Sequence, residues 1–173
     1  MNFIKTKKHE KGKIMKIIYV HHGNRELGNP PSQDDNITKL GKKDAKIVSE
    51  LMLKSKKAGT NFKCIYSSPY FRCKKTAKII NKKLNLPIIM DDRLNEFDSK
   101  NETWIDLQTR VRECIKDIVY KFDKNDAVIC VTSGVNVVAF ISLANKQKPS
   151  ESAAFIGISS CSPLIFNIDK DCF

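Results

Sequence analysis

The sequence is poor in histidine, with three in 173 residues, and only five of its 31 basic residues are arginine. No apolar run approaches the eighteen or so residues that a membrane-spanning helix needs; the longest, "VVAFISLA", contains a serine and stops after eight. That excludes a helical membrane span. The six cysteines form no C-x-x-C pair and no apolar secretory leader accompanies them, which argues against a disulfide framework or a cysteine-built zinc site. Free thiols in a reducing cytoplasm are the expectation. Repeats and low-complexity segments are also missing.

What is present fits a folded, soluble chain: 41% hydrophobic and 29% charged residues, with enough length to bury one real core. Residues 1–13, "MNFIKTKKHEKGK", carry five lysines against one glutamate and read as a basic extension. Residues 14–173 read as a single domain. The formal net charge of +12 raises the question of nucleic acid, since clustered basic residues mark phosphate-backbone binding. The lysines occur in nearly every segment and are not interleaved with aromatics, which argues against that class and for a solvated surface.

The apolar pattern alternates between two periods. "IMKIIYV" (14–20) is a nearly continuous apolar run, as expected of a strand buried on both faces. Thr38 is placed to cap a helix whose apolar positions Leu40, Ala45, Val48, Leu51 and Met52 recur at helical spacing and which ends near Gly59. A strand over 62–66 leads through Ser67-Ser68-Pro69 to a helix with Tyr70, Cys73, Ala77, Ile80 and Leu84 on one face. "LPIIM" (86–90) supplies a third strand, a strongly periodic helix spans about 103–122, and "AVICVTSG" (127–134) is a fourth strand before a helix over 135–144. The tail holds one or two more strands. This order predicts an α/β fold of three layers, α/β/α, around a mostly parallel sheet.

In such sheets ligands bind beyond the carboxyl ends of the strands. The residues there are His21-His22-Gly23, Ser67-Ser68-Pro69 with Arg72, the stretch from Arg93 to Glu96, and Thr132-Ser133-Gly134. Histidine, arginine, glutamate and hydroxyls on one rim suit an oxyanion or phosphate site. Adjacent strand residues point to opposite faces, so both histidines share a pocket only if the strand has already turned.

The order of these motifs resembles the histidine phosphatase, or phosphoglycerate mutase-like, superfamily. "IIYVHHG" is similar to its arginine-histidine-glycine segment, with His22 at the phosphate-accepting histidine. "NITKLGKKDA" resembles the threonine-glycine helix opening, and "IYSSPYFRCKKTAKII" resembles the serine-proline, arginine and threonine-alanine segment, with Arg72 at the phosphate-binding arginine. "DDRLNEFD" resembles the stretch carrying the acid, which would be Glu96, and "AVICVTSG" resembles the strand ending in serine-histidine-glycine. The resemblance implies a metal-independent phosphomonoester hydrolase without a cofactor, acting through a phosphohistidine on a phosphorylated small molecule or phosphoprotein, with mutase chemistry less expected. It also marks two departures. His21 stands in place of a pocket arginine, and Ser133 in place of a second pocket histidine, so phosphate binding by His21 and Ser133 is expected to be weaker. Arg25 is close enough in sequence to supply a missing cation, although an exposed loop arginine is the simpler expectation. An inactive anion-binding or protein-interaction module of the same fold stays open as a second reading.

Overall fold

The computed structural model describes residues 15–26, 32–144 and 158–168. The strands are β1 (Met15–His21), β2 (Asn61–Ser67), β3 (Ile88–Met90), β4 (Asp126–Thr132) and β5 (Pro163–Ile168), in the sheet order β3-β2-β4-β1-β5. The helices are α1 (Lys39–Lys57), α2 (Phe71–Asn81), α3 (Trp104–Lys121) and α4 (Gly134–Ala144). Pairings among β1 to β4 are parallel, and β5 runs antiparallel to β1. One tail strand is therefore present among the described residues. The basic extension and Cys172 lie outside them.

The apolar strands sort their side chains with period two. Ile18, Val20, Ile65, Ala127, Ile129 and Val131 face α1 and α2, whereas Ile17, Tyr19, Cys64, Tyr66, Val128 and Cys130 face α3 and α4. Burial on both faces is why β1 and β4 read as unbroken apolar runs. The helix after β1 lies on one face and the helix after β4 on the other. Because these strands are neighbours, their carboxyl ends border a topological switch point, where a crevice opens.

The helix boundaries follow local chemistry. Thr103 begins α3 with a capping box, its hydroxyl accepting from Asp106 N–H while the Asp106 carboxylate accepts from Thr103 N–H. Helix α2 starts later than "SSP" suggested: Tyr70 is its N-cap residue, and Ser68 Oγ accepts from Tyr70 N–H at 3.2 Å. The polar loop after β3 contains a single 3₁₀ turn, Asp92–Leu94. Among the described residues no helix is long and apolar enough to cross a membrane.

The lysines are less evenly distributed than their sequence positions suggest. Residues 39–84 carry thirteen lysines and Arg72 against only Asp44 and Glu50, an excess equal to the whole chain's +12. Helices α1 and α2 belong to this stretch and cover the same sheet face. Charge is thus concentrated on one side of the sheet.

Helix α1 also buttresses the end of β1. Thr38 N–H donates to Asn24 O at 2.8 Å, and Thr38 Oγ1 accepts from Gly41 N–H at 3.0 Å. A Cβ on Gly41 would lie 2.7 Å from both Asn24 N and Asn24 O, closer than side-chain carbons come to backbone. Gly41→Ala is therefore expected to cost about 1–3 kcal/mol in urea unfolding, as overpacking does. A loss below about 0.5 kcal/mol, within the range of neutral surface changes, would contradict that contact.

Candidate active site

The site is assembled from three strand ends. Just beyond β1, which ends at His21, His22 N–H still donates to Thr132 O of β4 at 2.9 Å. The His21 and His22 rings lie edge to face with centroids 4.4 Å apart, and both line one cavity of about 600 Å³ with Asn24, Arg25, Glu96, Ser159 and Ser160. The turn is held from below: Gly23 N–H donates to Thr76 Oγ1 at 2.9 Å, and that hydroxyl donates to Arg72 O at 2.8 Å.

Arg72, in the first turn of α2, is 1% exposed. Its Nε–H donates to His22 Nε2 at 3.2 Å, its Nη1 to Ser32 O at 3.3 Å and its Nη2 to Glu96 Oε2. The Tyr70 ring lies 4.9 Å beneath the guanidinium. His22, Arg72 and Glu96 therefore come together as expected, with the arginine touching the other two.

These contacts fix the His22 tautomer. His22 Nδ1 lies 2.9 Å from Gly23 O, which can only accept, so Nδ1 carries the proton. Nε2 faces an arginine N–H, which can only donate, so Nε2 presents its lone pair. Burial, then the neighbouring His21 and the positive charges of Arg72 and Arg25, push the His22 pKa down to about 3, although its bond to Gly23 O opposes the shift. The ring is neutral, with its Nε2 lone pair held toward Arg72.

His21 differs. Its Nδ1 lies 2.8 Å from Ile158 O, and burial lowers its pKa from the ordinary histidine value, with the backbone contacts opposing. Neutral His21 thus spends its N–H on the protein and has only a lone pair at Nε2, which does not favour an anion. Ser133 is buried just before α4; its Oγ accepts from Asn136 Nδ2 at 2.9 Å, and the residue lines neither cavity described here.

Arg25 is more closely involved than a loop arginine need be. Its Nη1 lies 4.0 Å from Glu96 Oε2 and 3.9 Å from Asp35 Oδ2, a buried oxygen with no hydrogen-bond partner among the described residues. Arg25 and Glu96 also line a second cavity of about 250 Å³ with Ser32, Gln33, Tyr70, Arg72, Phe97 and Asp98. Sequence gave no sign of Asp35, Tyr70 or Asn136 at the site. A buried acid near an arginine is recognisable only once the loop from Asn24 to Asn36 is folded.

The family model for the histidine phosphatase superfamily, branch 1, matches residues 17–101, the stretch that holds His21, His22, Arg72 and Glu96. Over that stretch, just under half of its length, the chain is similar to the histidine phosphatase superfamily. Solved structures share its phosphoglycerate mutase-like fold. YhfR from Bacillus stearothermophilus superposes with a TM-score of 0.76 at 19% identity, covering 90% of this chain and 92% of that one. A phosphoserine phosphatase from Entamoeba histolytica, in complex with 3-phosphoglyceric acid, gives 0.72 at 18% identity over 88% and 90%. The protein histidine phosphatase SixA, complexed with tungstate, gives 0.67 at 14% identity over 91% of each chain. No curated protein matches significantly by sequence.

The tautomer of His21 sets a pH dependence. Above its lowered pKa the ring is neutral and its Nε2 can only accept; below it, Nε2 gains an N–H donor and a charge. Sulfate, whose own charge is constant there, should therefore bind about tenfold more tightly as pH falls below the usual histidine range. Calorimetric titration should show the gain disappear in His21→Asn. A gain that persists in that variant assigns the effect to another group.

Proposed function

We propose that the protein is a metal-independent phosphomonoesterase in which His22 is the nucleophile, Arg72 and Arg25 bind the phosphoryl oxygens and Glu96 is the proton donor. One observation carries this reading. The His22 Nε2 lone pair and the Glu96 carboxylate meet on a single buried guanidinium, so nucleophile, cation and acid are already in register.

In the first step His22 Nε2 attacks phosphorus, the bond to the leaving oxygen breaks, and Glu96 gives that oxygen its proton. The new imidazolium is balanced by the phosphoryl charge while its Nδ1–H remains on Gly23 O. In the second step Glu96 takes a proton from water, the water oxygen attacks phosphorus, and the N–P bond breaks to release phosphate and free His22. Glu96 then returns to its protonated form. The sum is phosphomonoester plus water giving alcohol plus phosphate. An incoming phosphomonoester monoanion displaces the Glu96 carboxylate from Arg72 and leaves its proton on Glu96, which then turns toward the leaving group. Arg25 contributes the fixed charge that neutral His21 does not.

Substrates of the superposed phosphatases, phosphorylated small molecules and phosphoproteins, define the class in which to look. Activity is expected to be weak, because each missing preorganised donor costs about 10²–10³ in rate. A second reading, a non-catalytic anion-binding or protein-interaction module, draws on the same contact, since Arg72 is already satisfied by Glu96 and His21 offers a lone pair. The location expected for either is the cytoplasm.

A panel of phosphomonoesters assayed with the unsubstituted protein, His22→Ala and Arg25→Ala separates these readings. The nucleophile's loss should lower kcat at least about 10³-fold. Arg25→Ala should weaken vanadate inhibition about tenfold, the scale of one charge-assisted hydrogen bond. Turnover that survives in His22→Ala overturns the mechanism, and unchanged vanadate inhibition overturns the role of Arg25. Saturable phosphate binding without any turnover establishes the module instead.

A further inference from the structure

We infer that Arg110, on α3, is a positioning residue for Glu96, acting with Glu102 and Asn136 as a clamp on the irregular chain that carries the acid. This rests on the phosphatase reading above. Glu96 follows the 3₁₀ turn in a segment with no strand or helix to hold it. Its orientation must come from elsewhere.

The clamp takes hold of consecutive carbonyls. Arg110 Nη1 donates to Arg93 O at 2.7 Å, to Asn95 O at 2.8 Å and to Asn136 Oδ1 at 3.3 Å, while Nη2 donates to Glu96 O at 3.4 Å. From α4, Asn136 Nδ2 donates to Asn95 O at 2.8 Å, and Thr132 Oγ1 donates to Leu94 O at 2.6 Å. Every carbonyl from residue 93 to residue 96 is thereby held by a side chain from α3, α4 or the end of β4.

Arg110 is itself fixed by a two-pronged pair with Glu102, Nε to Oε2 at 2.8 Å and Nη2 to Oε1 at 2.6 Å. The same Glu102 oxygen accepts from Asp98 N–H at 2.9 Å, so the pair also secures the chain two residues beyond Glu96. Asn136 is fully buried and its Nδ2 reaches Ser133 Oγ as well. Ser133 is thereby assigned to the support of the acid rather than to phosphate. Lysine at position 110 could keep the charge but not the planar fork that serves several acceptors.

Proton donation matters for a poor leaving group such as an alkoxide and little for p-nitrophenolate, which departs without a proton. With Arg110→Lys, kcat/KM, which reports phosphoryl transfer to His22 and not the shared hydrolysis step, should therefore fall about 10- to 100-fold for an alkyl phosphomonoester, the scale of a mispositioned general acid, while kcat/KM for p-nitrophenyl phosphate changes less than about threefold. In a Glu96→Gln background the same substitution should add no further loss. Equal losses on both substrates, or an added loss in the Glu96→Gln background, overturn the positioning role while leaving the phosphatase reading intact. Absence of turnover by the unsubstituted protein overturns both.

Discussion

A buried guanidinium governs this site. Removing an arginine from water costs several kcal/mol, and such a charge is tolerated only when its donors are matched. Arg72 meets that demand with His22, Ser32 and Glu96, each from a different part of the chain, and with the Tyr70 ring beneath it. Satisfying one side chain therefore draws the end of β1, the loop before α1, the start of α2 and the chain after β3 to one point. The folded core brings the elements near; the arginine's need for partners sets their final alignment.

The same contact shapes the chemistry. A donor aimed at Nε2 and a carbonyl at Nδ1 leave one tautomer available to His22, and burial, helped by the neighbouring charges, keeps it neutral. Glu96 on the far side of the guanidinium gives the resting site an internal occupant that an anion must displace. On the phosphatase reading, affinity for phosphate is then a difference between two pairings, and weaker binding is expected than an unpaired guanidinium would give. Arg25, between Asp35 and Glu96, is the remaining cation positioned to tip that balance.

The architecture was legible in the sequence because its strands are short and apolar and its helices strongly periodic. The alternation pointed to the parallel sheet, and the rule that sites sit beyond strand ends marked the stretches that hold His21, His22, Arg72, Glu96 and Ser133. Thr38 announced its helix through cap chemistry that is entirely local. What could not be read depends on contacts distant in sequence. Arg110 reaches carbonyls fifteen and seventeen residues away, Asn136 reaches one forty-one residues away, and neither has a local pattern that distinguishes it from an ordinary helix residue. Lysines that looked evenly scattered proved concentrated on one face because α1 and α2 cover the same side of the sheet. Ser133 illustrates the limit from the other direction: its place in a motif suggested phosphate, while its hydrogen bond ties it to Asn136.

The central claim is that His22 rests as a neutral imidazole with its lone pair at Nε2. Nitrogen NMR of the ¹⁵N-histidine-labelled protein, followed through an acid titration, tests this without knowledge of the substrate. The account predicts a proton on Nδ1, a bare Nε2, and no imidazolium until the pH approaches about 3. A proton on Nε2, or protonation near the ordinary histidine value of about 6.5, would contradict it.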